Sequence, residues 1–264
     1  MKQESGFYGK VPTHSDFIRH NLPRAFIDPW DDWLQSAFSA SKEQLNEDWL
    51  ETYLTSPIYR FVLTPSLCGE ASRIGIMMPS VDKIGRYYPF VLAAGLDNTG
   101  SPFDLLKRYE EWFERAQKLA LSALEDDFEL DALIHSMTTL DALLIPTQLA
   151  VNPILTAITE DVQGDFLLMH ETLESPTQLD ALCPSLLHKT LLEVCQAYSL
   201  WWTAGSEKIT PSLLISQGFP PAENIAAMLS GDWTKWGWMD ETPPPQLITS
   251  PNEEDSDEDE PWES

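Results

Sequence analysis

The amino-acid sequence predicts an α/β protein: a single mixed or antiparallel sheet flanked by helices, with an acidic C-terminal tail outside it. Three observations carry this. Short apolar runs bounded by glycine and proline follow one another at 58–65, 72–80 and 87–96 (IYRFVLTP, SRIGIMMPS, YYPFVLAAGL), the pattern of consecutive strands. Two longer stretches, 102–126 and 129–144, repeat apolar residues at helical spacing. Two further strand-like runs, 197–205 and 212–218, follow a third helical segment, so strands and helices interleave in one layered domain.

Taken in order, the first 25 residues are polar and punctuated by Gly6, Gly9, Pro12 and Pro23, which predicts a loop. From Phe26 to Phe38 the residues Phe26, Ile27, Trp30, Trp33, Leu34, Ala37 and Phe38 share one helical face, with Asp28 as cap and Pro29 in the first turn. A short segment follows around Trp49, Leu50 and Tyr53. Of the three strand runs, FVLAAGL is apolar without alternation and so belongs in the middle of the sheet, covered on both faces. The helix at 102–126 opens with Ser101 as cap, Pro102 at the first position and Asp104 at the positive end of the dipole, and Glu111 faces Arg115 on its wet side. Beyond 144, DFLLMH (165–170) reads as a strand and 175–196 as a helix kinked at Pro184. A closing helix begins within 220–233. Trp233, Trp236 and Trp238 are expected in the core, because soluble chains seldom expose three Trp together.

The domain therefore spans 1–238, and 239–264 forms a proline-rich, acidic tail expected to be disordered. Residues 251–264 hold eight acidic and no basic residues. The chain as a whole carries 16 basic against 42 acidic residues, a net −26, and the body stays strongly acidic without the tail. Such a surface repels phosphate backbones and anionic lipid, which argues against nucleic-acid and membrane-surface roles. There is no run of about 18 apolar residues to insert into a membrane, and the N-terminal stretch lacks a secretory signal's apolar core. Three scattered cysteines, Cys68, Cys183 and Cys195, fit a reducing cytoplasm better than a disulfide frame or zinc site.

Motifs for catalysis and cofactors fail on inspection. GFYGKV has two residues between its glycines where a phosphate loop needs four, and no Ser or Thr follows the lysine. GxSxG, HExxH, GxGxxG and EF-hand spacings are missing, and the five histidines form no HxH or HxxxH pair. The residues call for no cofactor and no metal. Two polar constellations remain: Lys10, Ser15, Asp16 and Arg19 in GKVPTHSDFIR beside the Trp30/Trp33 helix, and Ser80, Asp82, Gly85, Arg86 and Tyr87 in PSVDKIGRYY. The second reads plainly as a hairpin connection, with Ser80 and Asp82 bonding nearby amides and Gly85 free to take positive φ. Arg86, expected near the sheet edge, needs a carboxylate or carbonyl fork that Asp16 or Asp82 supplies. It then either pins the N-terminal loop to the hairpin or meets a partner, since Arg and Tyr together are typical of interface hot spots.

The blocks GFYGKVPTHSDF with FIDPWDDWLQ, GIMMPSVDKIGRYYPF, and SLWWTAGS (with Trp201 and Trp202) followed by GFP resemble the TagF family, also called ImpM, accessory proteins of bacterial type VI secretion. One departure is Ser15, where the family often has Gly before the Asp. The resemblance implies a cytoplasmic protein with a longin- or profilin-like sheet flanked by helices. It also implies a post-translational negative regulator of type VI secretion that binds the forkhead-associated scaffold protein and blocks apparatus assembly. Some relatives are fused to a PP2C-type phosphatase, for which this sequence has no matching segment, so no enzymatic activity is expected. Two alternatives stay open: an adaptor that promotes assembly, and a metal-dependent hydrolase using Asp16 or Asp82. The sequence leaves oligomeric state open, although an exposed sheet edge makes a dimer feasible.

Overall fold

In the computed structural model the described residues are 4–96, 100–144 and 179–239. Their chain order is β1 (Ser5–Gly9), β2 (Ile18–His20), α1 (Arg24–Leu45), α2 (Trp49–Leu54), β3 (Tyr59–Leu63), β4 (Ser72–Met78), β5 (Phe90–Leu96), α3 (Pro102–Arg108), α4 (Glu110–Ser122), α5 (Leu130–Ala142), α6 (Leu179–Cys195), β6 (Tyr198–Thr203), β7 (Ser212–Gln217) and α7 (Ile225–Ser230). The seven strands form one sheet in the order β2-β1-β5-β4-β3-β6-β7, every neighbour antiparallel. Among the described residues no helix is long and apolar enough to cross a membrane.

The expected strands at 58–65, 72–80, 87–96, 197–205 and 212–218 are all present. The expected strand at 165–170 and, from residue 240 on, the tail lie outside the described residues. One expectation is overturned at the N-terminus, where residues 5–9 and 18–20 are strands and not loop. Their glycines and polar residues give no strand signal of their own. They extend because β1 pairs with β5, Phe7 opposite Leu92, and β2 pairs with β1. The first helix also starts earlier than predicted, at Arg24 with Pro23 in the cap position, and runs to Leu45, so Asp28 and Pro29 lie inside it. The helix predicted over 102–126 is two helices. Tyr109 (φ −108°, ψ 24°) ends α3 and caps α4, and this turn buries Leu105, Tyr109, Trp112 and Phe113 together. Ser101 caps α3 as expected, accepting from Phe103 N at 3.3 Å with Pro102 behind it, and Arg115 reaches Glu111 at 3.0 Å.

Helices cover both faces of the sheet. On one face Phe90, Leu92, Ala94 and Leu96 of β5 pack with Trp112, Phe113 and Ala116 of α4 and Leu133, Met137 and Leu140 of α5. On the other, Val91 and Ala93 pack with Phe26, Trp30, Trp33, Leu34 and Ala37 of α1 and Met228 of α7. The unbroken apolar run of β5 is thus what a strand needs when neither face meets water. Trp30, Trp33, Phe61, Trp201 and Phe219 form the aromatic centre of the second face, with ring centroids 4.8–6.0 Å apart. Trp233 and Trp238 sit at its rim, and all of Trp233, Trp236 and Trp238 are half-buried and not in the core as expected.

Gly75 of β4 is required by this aromatic centre. Phe61 stands opposite it in register and lays its ring over the glycine, so an added Cβ would meet Phe61 Cζ at 2.2 Å and the Leu92 carbonyl at 2.7 Å. Phe61 is held in turn by Trp30 and Trp201 and cannot swing away. Gly75→Ala is therefore expected to destabilise the fold by about 2 kcal/mol, at the middle of the overpacking range. Urea denaturation with an unchanged m-value reads this directly.

Candidate functional site

Asp82 is the centre of the charged site. It lies in the connection from β4 to β5, which turns back through a bridge between Val81 and Tyr87 and a turn closed by Gly85 N to Asp82 O at 3.0 Å. Gly85 has φ +85°, the left-handed conformation that this turn demands and that glycine adopts without a side-chain clash. The turn aims two amides at one oxygen: Asp82 Oδ1 accepts from Ile84 N at 3.0 Å and Arg86 N at 2.8 Å. Oδ2 takes Arg86 Nε at 2.6 Å and Lys10 Nζ at 3.1 Å. Four donors thus saturate a carboxylate whose side chain is fully buried.

Burial alone would raise the Asp82 pKa. The hydrogen bonds from the Arg86 amide and guanidinium, from Lys10 and from the Ile84 amide outweigh it, and hold the carboxyl well below the usual range. Lys10 is itself buried, with its ammonium 5.0 Å from the centre of the Phe17 ring. The Arg86 guanidinium also donates to the Ser15 carbonyl oxygen and lies 3.7 Å from Asp16.

The same two loops are joined by neutral bonds. Lys83 N donates to His14 O at 3.0 Å, and Ser80 Oγ donates to Lys10 O at 2.7 Å. Tyr53 of α2 seals the base, its hydroxyl donating to Ser80 O and accepting from Ser80 N, each at 2.8 Å. Tyr87 packs edge-on against Trp49 and Tyr53. Above this base Phe17 stacks on Tyr8 at 5.2 Å and meets the edge of Tyr88 at 4.7 Å, while both tyrosine hydroxyls donate to Asp31 of α1, at 3.4 and 2.7 Å. Residues 10–17 and 80–88 therefore form one cross-linked block at the end of the sheet.

Lys10, Ser15, Asp16, Ser80, Asp82, Gly85 and Arg86 are brought together as the sequence predicts, and Tyr87 adjoins them. Arg86 does not lie at the sheet edge, however. It caps the ends of the central strands β4 and β5, and the edges are β2 and β7. Arg19 is exposed on β2, opposite Tyr8. Trp30, Trp33 and Trp201 belong to the core behind the site, and Trp202 faces the other layer against Phe113 at 4.7 Å. Sequence reasoning missed Phe17 and Ile84, the apolar groups standing out of the block at 43% and 64% exposure, and Tyr8 and Tyr88, which support Phe17. An apolar residue inside a polar turn, as in VDKIGR, was the available signal.

The carboxylate chemistry of a metal hydrolase does not fit here. All four acceptor positions of Asp82 are taken, and Asp16 is solvated and faces a guanidinium. Among the described residues no group of three or more His, Cys, Asp or Glu could hold a metal ion.

Fold and site define an α/β/α sandwich on one antiparallel sheet, with a charge-locked hairpin closing the ends of its central strands. The model of the TagF N-terminal domain, described as type VI secretion system-associated, matches residues 6–140, and the chain belongs to this family. The crystal structure of PA0076 from Pseudomonas aeruginosa PAO1 is similar, with a TM-score of 0.68 and 33% identity over 86% of this chain and 94% of that one. No curated protein sequence matches the chain significantly. The matched region contains the whole hairpin site and omits β6 and β7.

Proposed function

We propose that this protein is a cytoplasmic, non-enzymatic, post-translational negative regulator of type VI secretion, which binds the forkhead-associated scaffold protein of the apparatus and blocks its assembly. Membership of a type VI secretion-associated family supports the setting. The observation that carries the binding role is the block itself. Its buried charges, Lys10 and Asp82, are spent internally on rigidity, and what it presents outward is Phe17, Ile84, the exposed half of Arg86, Ser15, Asp16 and Lys83. Apolar groups held out on a pre-organised block lose little entropy on binding, and Arg86 is of a residue type enriched in interface hot spots.

The test is calorimetric titration with the cognate, unphosphorylated scaffold at two salt concentrations. Saturable binding is expected, weakened by salt where the acidic surface contributes. Arg86→Ala should reduce affinity roughly tenfold or more. Arg86 is half-exposed, and buried Asp82 keeps Lys10 and the Ile84 and residue-86 amides when the guanidinium is lost, so the stability cost should be about 1–2 kcal/mol, below that of removing Asp82 itself. No binding at high micromolar concentration, or an Arg86→Ala protein with unchanged melting temperature and affinity, overturns the assignment. Secretion measured with and without the gene separates repression, in which loss raises secretion, from assembly promotion, in which loss lowers it.

A further inference from the structure

We propose that the β7 edge is a self-association face, through which two copies pair β7 to β7 antiparallel about a two-fold axis. The two edges of the sheet are built differently. β2 has three residues with exposed Arg19 in the middle, which blunts it against added strands. β7 has six, SLLISQ, with no charge, proline or glycine, and so carries none of the usual guards.

The hydrogen-bond parity shows which groups it offers. Gly218 N donates to Ala197 O at 3.0 Å, one step beyond the Tyr198–Gln217 pair, so Ser212, Leu214 and Ser216 exchange bonds with β6. Leu213, Ile215 and Gln217 consequently turn their N–H and C=O groups away from the sheet, and among the described residues these groups have no backbone partner, although the Gln217 carbonyl accepts from Ser216 Oγ at 3.3 Å. The side chains of Leu213 and Ile215 are 53% and 41% exposed. They alternate with Leu214, which packs into the α1 layer, so they project on the opposite face. That is the face on which α6 sits, joined to β6 by His188 Nδ1 and the Tyr198 hydroxyl at 2.7 Å, and α6 exposes Leu187 and Val194. Leu213 and Ile215 thus stand exposed on an edge that is unpaired among the described residues, on the face that also carries α6.

A second copy fits this edge for two reasons. The outward residues are self-complementary: opposing Ile215 to its counterpart places Leu213 against Gln217 of the other copy, and a shift places Leu213 against Ile215, each with outward backbone groups facing each other. Charge points the same way, because in a chain of net −26 the uncharged edge is where two copies approach at least electrostatic cost. One short strand and the two apolar side chains of Leu213 and Ile215 are small beside the roughly 800 Å² per partner of a stable interface. The dimer therefore forms at high concentration, dissociates on dilution, and is strengthened by added salt.

Sedimentation velocity over a dilution series, with amide hydrogen exchange at each end of it, tests this on the full chain. A monomer–dimer equilibrium is expected, with exchange at Leu213, Ile215 and Gln217 slowed only at high concentration. Ile215→Lys should sediment as monomer throughout, with the wild-type melting temperature. Leu213→Pro removes an outward N–H while leaving the β6 ladder intact, and should weaken the dimer at least tenfold. A monomer at every concentration overturns the proposal. So does a dimer that survives both substitutions, which places the contact elsewhere. Slow exchange of the three amides in the dilute monomer overturns it as well, because another segment of the same chain then fills the edge.

Discussion

Asp82→Ala should destabilise the protein by about 3 kcal/mol, because removing one partner of a buried ion pair strands the other. The stranded group is Lys10, whose side chain is 7% exposed and whose ion pair among the described residues is with Asp82. Two turn amides, Ile84 N and Arg86 N, lose their acceptor in the same substitution. We place the cost at the low end of the buried-pair range because Arg86 is half-exposed and regains water. Asp82→Asn keeps an acceptor oxygen but removes the charge, so it should cost less. Urea unfolding of the three proteins at neutral pH orders them wild type, Asn, Ala.

The pH dependence follows from the same site. Folding depresses the Asp82 pKa below its unfolded value of about 3.9, so the folded protein binds its proton less readily than the unfolded chain. The stabilisation is complete above about pH 5 and is lost progressively as pH falls through 4 toward the folded pKa. Wild type should therefore lose its advantage over Asp82→Asn between about pH 5 and 2. A constant difference across that range would show that Asp82 acts through shape and not through charge.

Trp30→Ala should be at least as damaging, at about 3–5 kcal/mol for a fully buried aromatic. Trp30 touches Phe26, Trp33, Phe61, Trp201 and Phe219, joining α1 to β3, β6 and the segment before α7. Trp30→Phe should cost markedly less. The indole N–H of Trp30 is buried without a hydrogen-bond partner among the described residues, so its loss sacrifices no bond. Trp33 is the control: its Nε1 donates to Pro220 O at 2.8 Å, so Trp33→Phe leaves a buried carbonyl unpaired. Equal losses for the two Phe variants would show that packing alone governs this cluster.

The α/β class, five of the seven strands, the Ser101 cap of α3 and a lock between the Arg86 turn and the N-terminal loop, through Asp16 or Asp82, were legible in the sequence. Each rests on short-range signals: apolar periodicity, a proline after a capping serine, a glycine at a turn, complementary charges in two loops. Tertiary structure decided what depends on residues far apart. β1 and β2 are strands because β5 offers β1 an edge, which glycine-rich residues 5–9 do not announce. The break at Tyr109 and the early start of α1 arise from packing on a sheet assembled elsewhere in the chain. At the site, the sequence offered Asp16 and Asp82 equally to Arg86. Only the folded turn, with two amides converging on Oδ1 and buried Lys10 on Oδ2, made Asp82 the buried centre and left Asp16 in water. Periodicity reports which face of an element is wet, whereas hydrogen-bond convergence and desolvation exist only once separate elements meet.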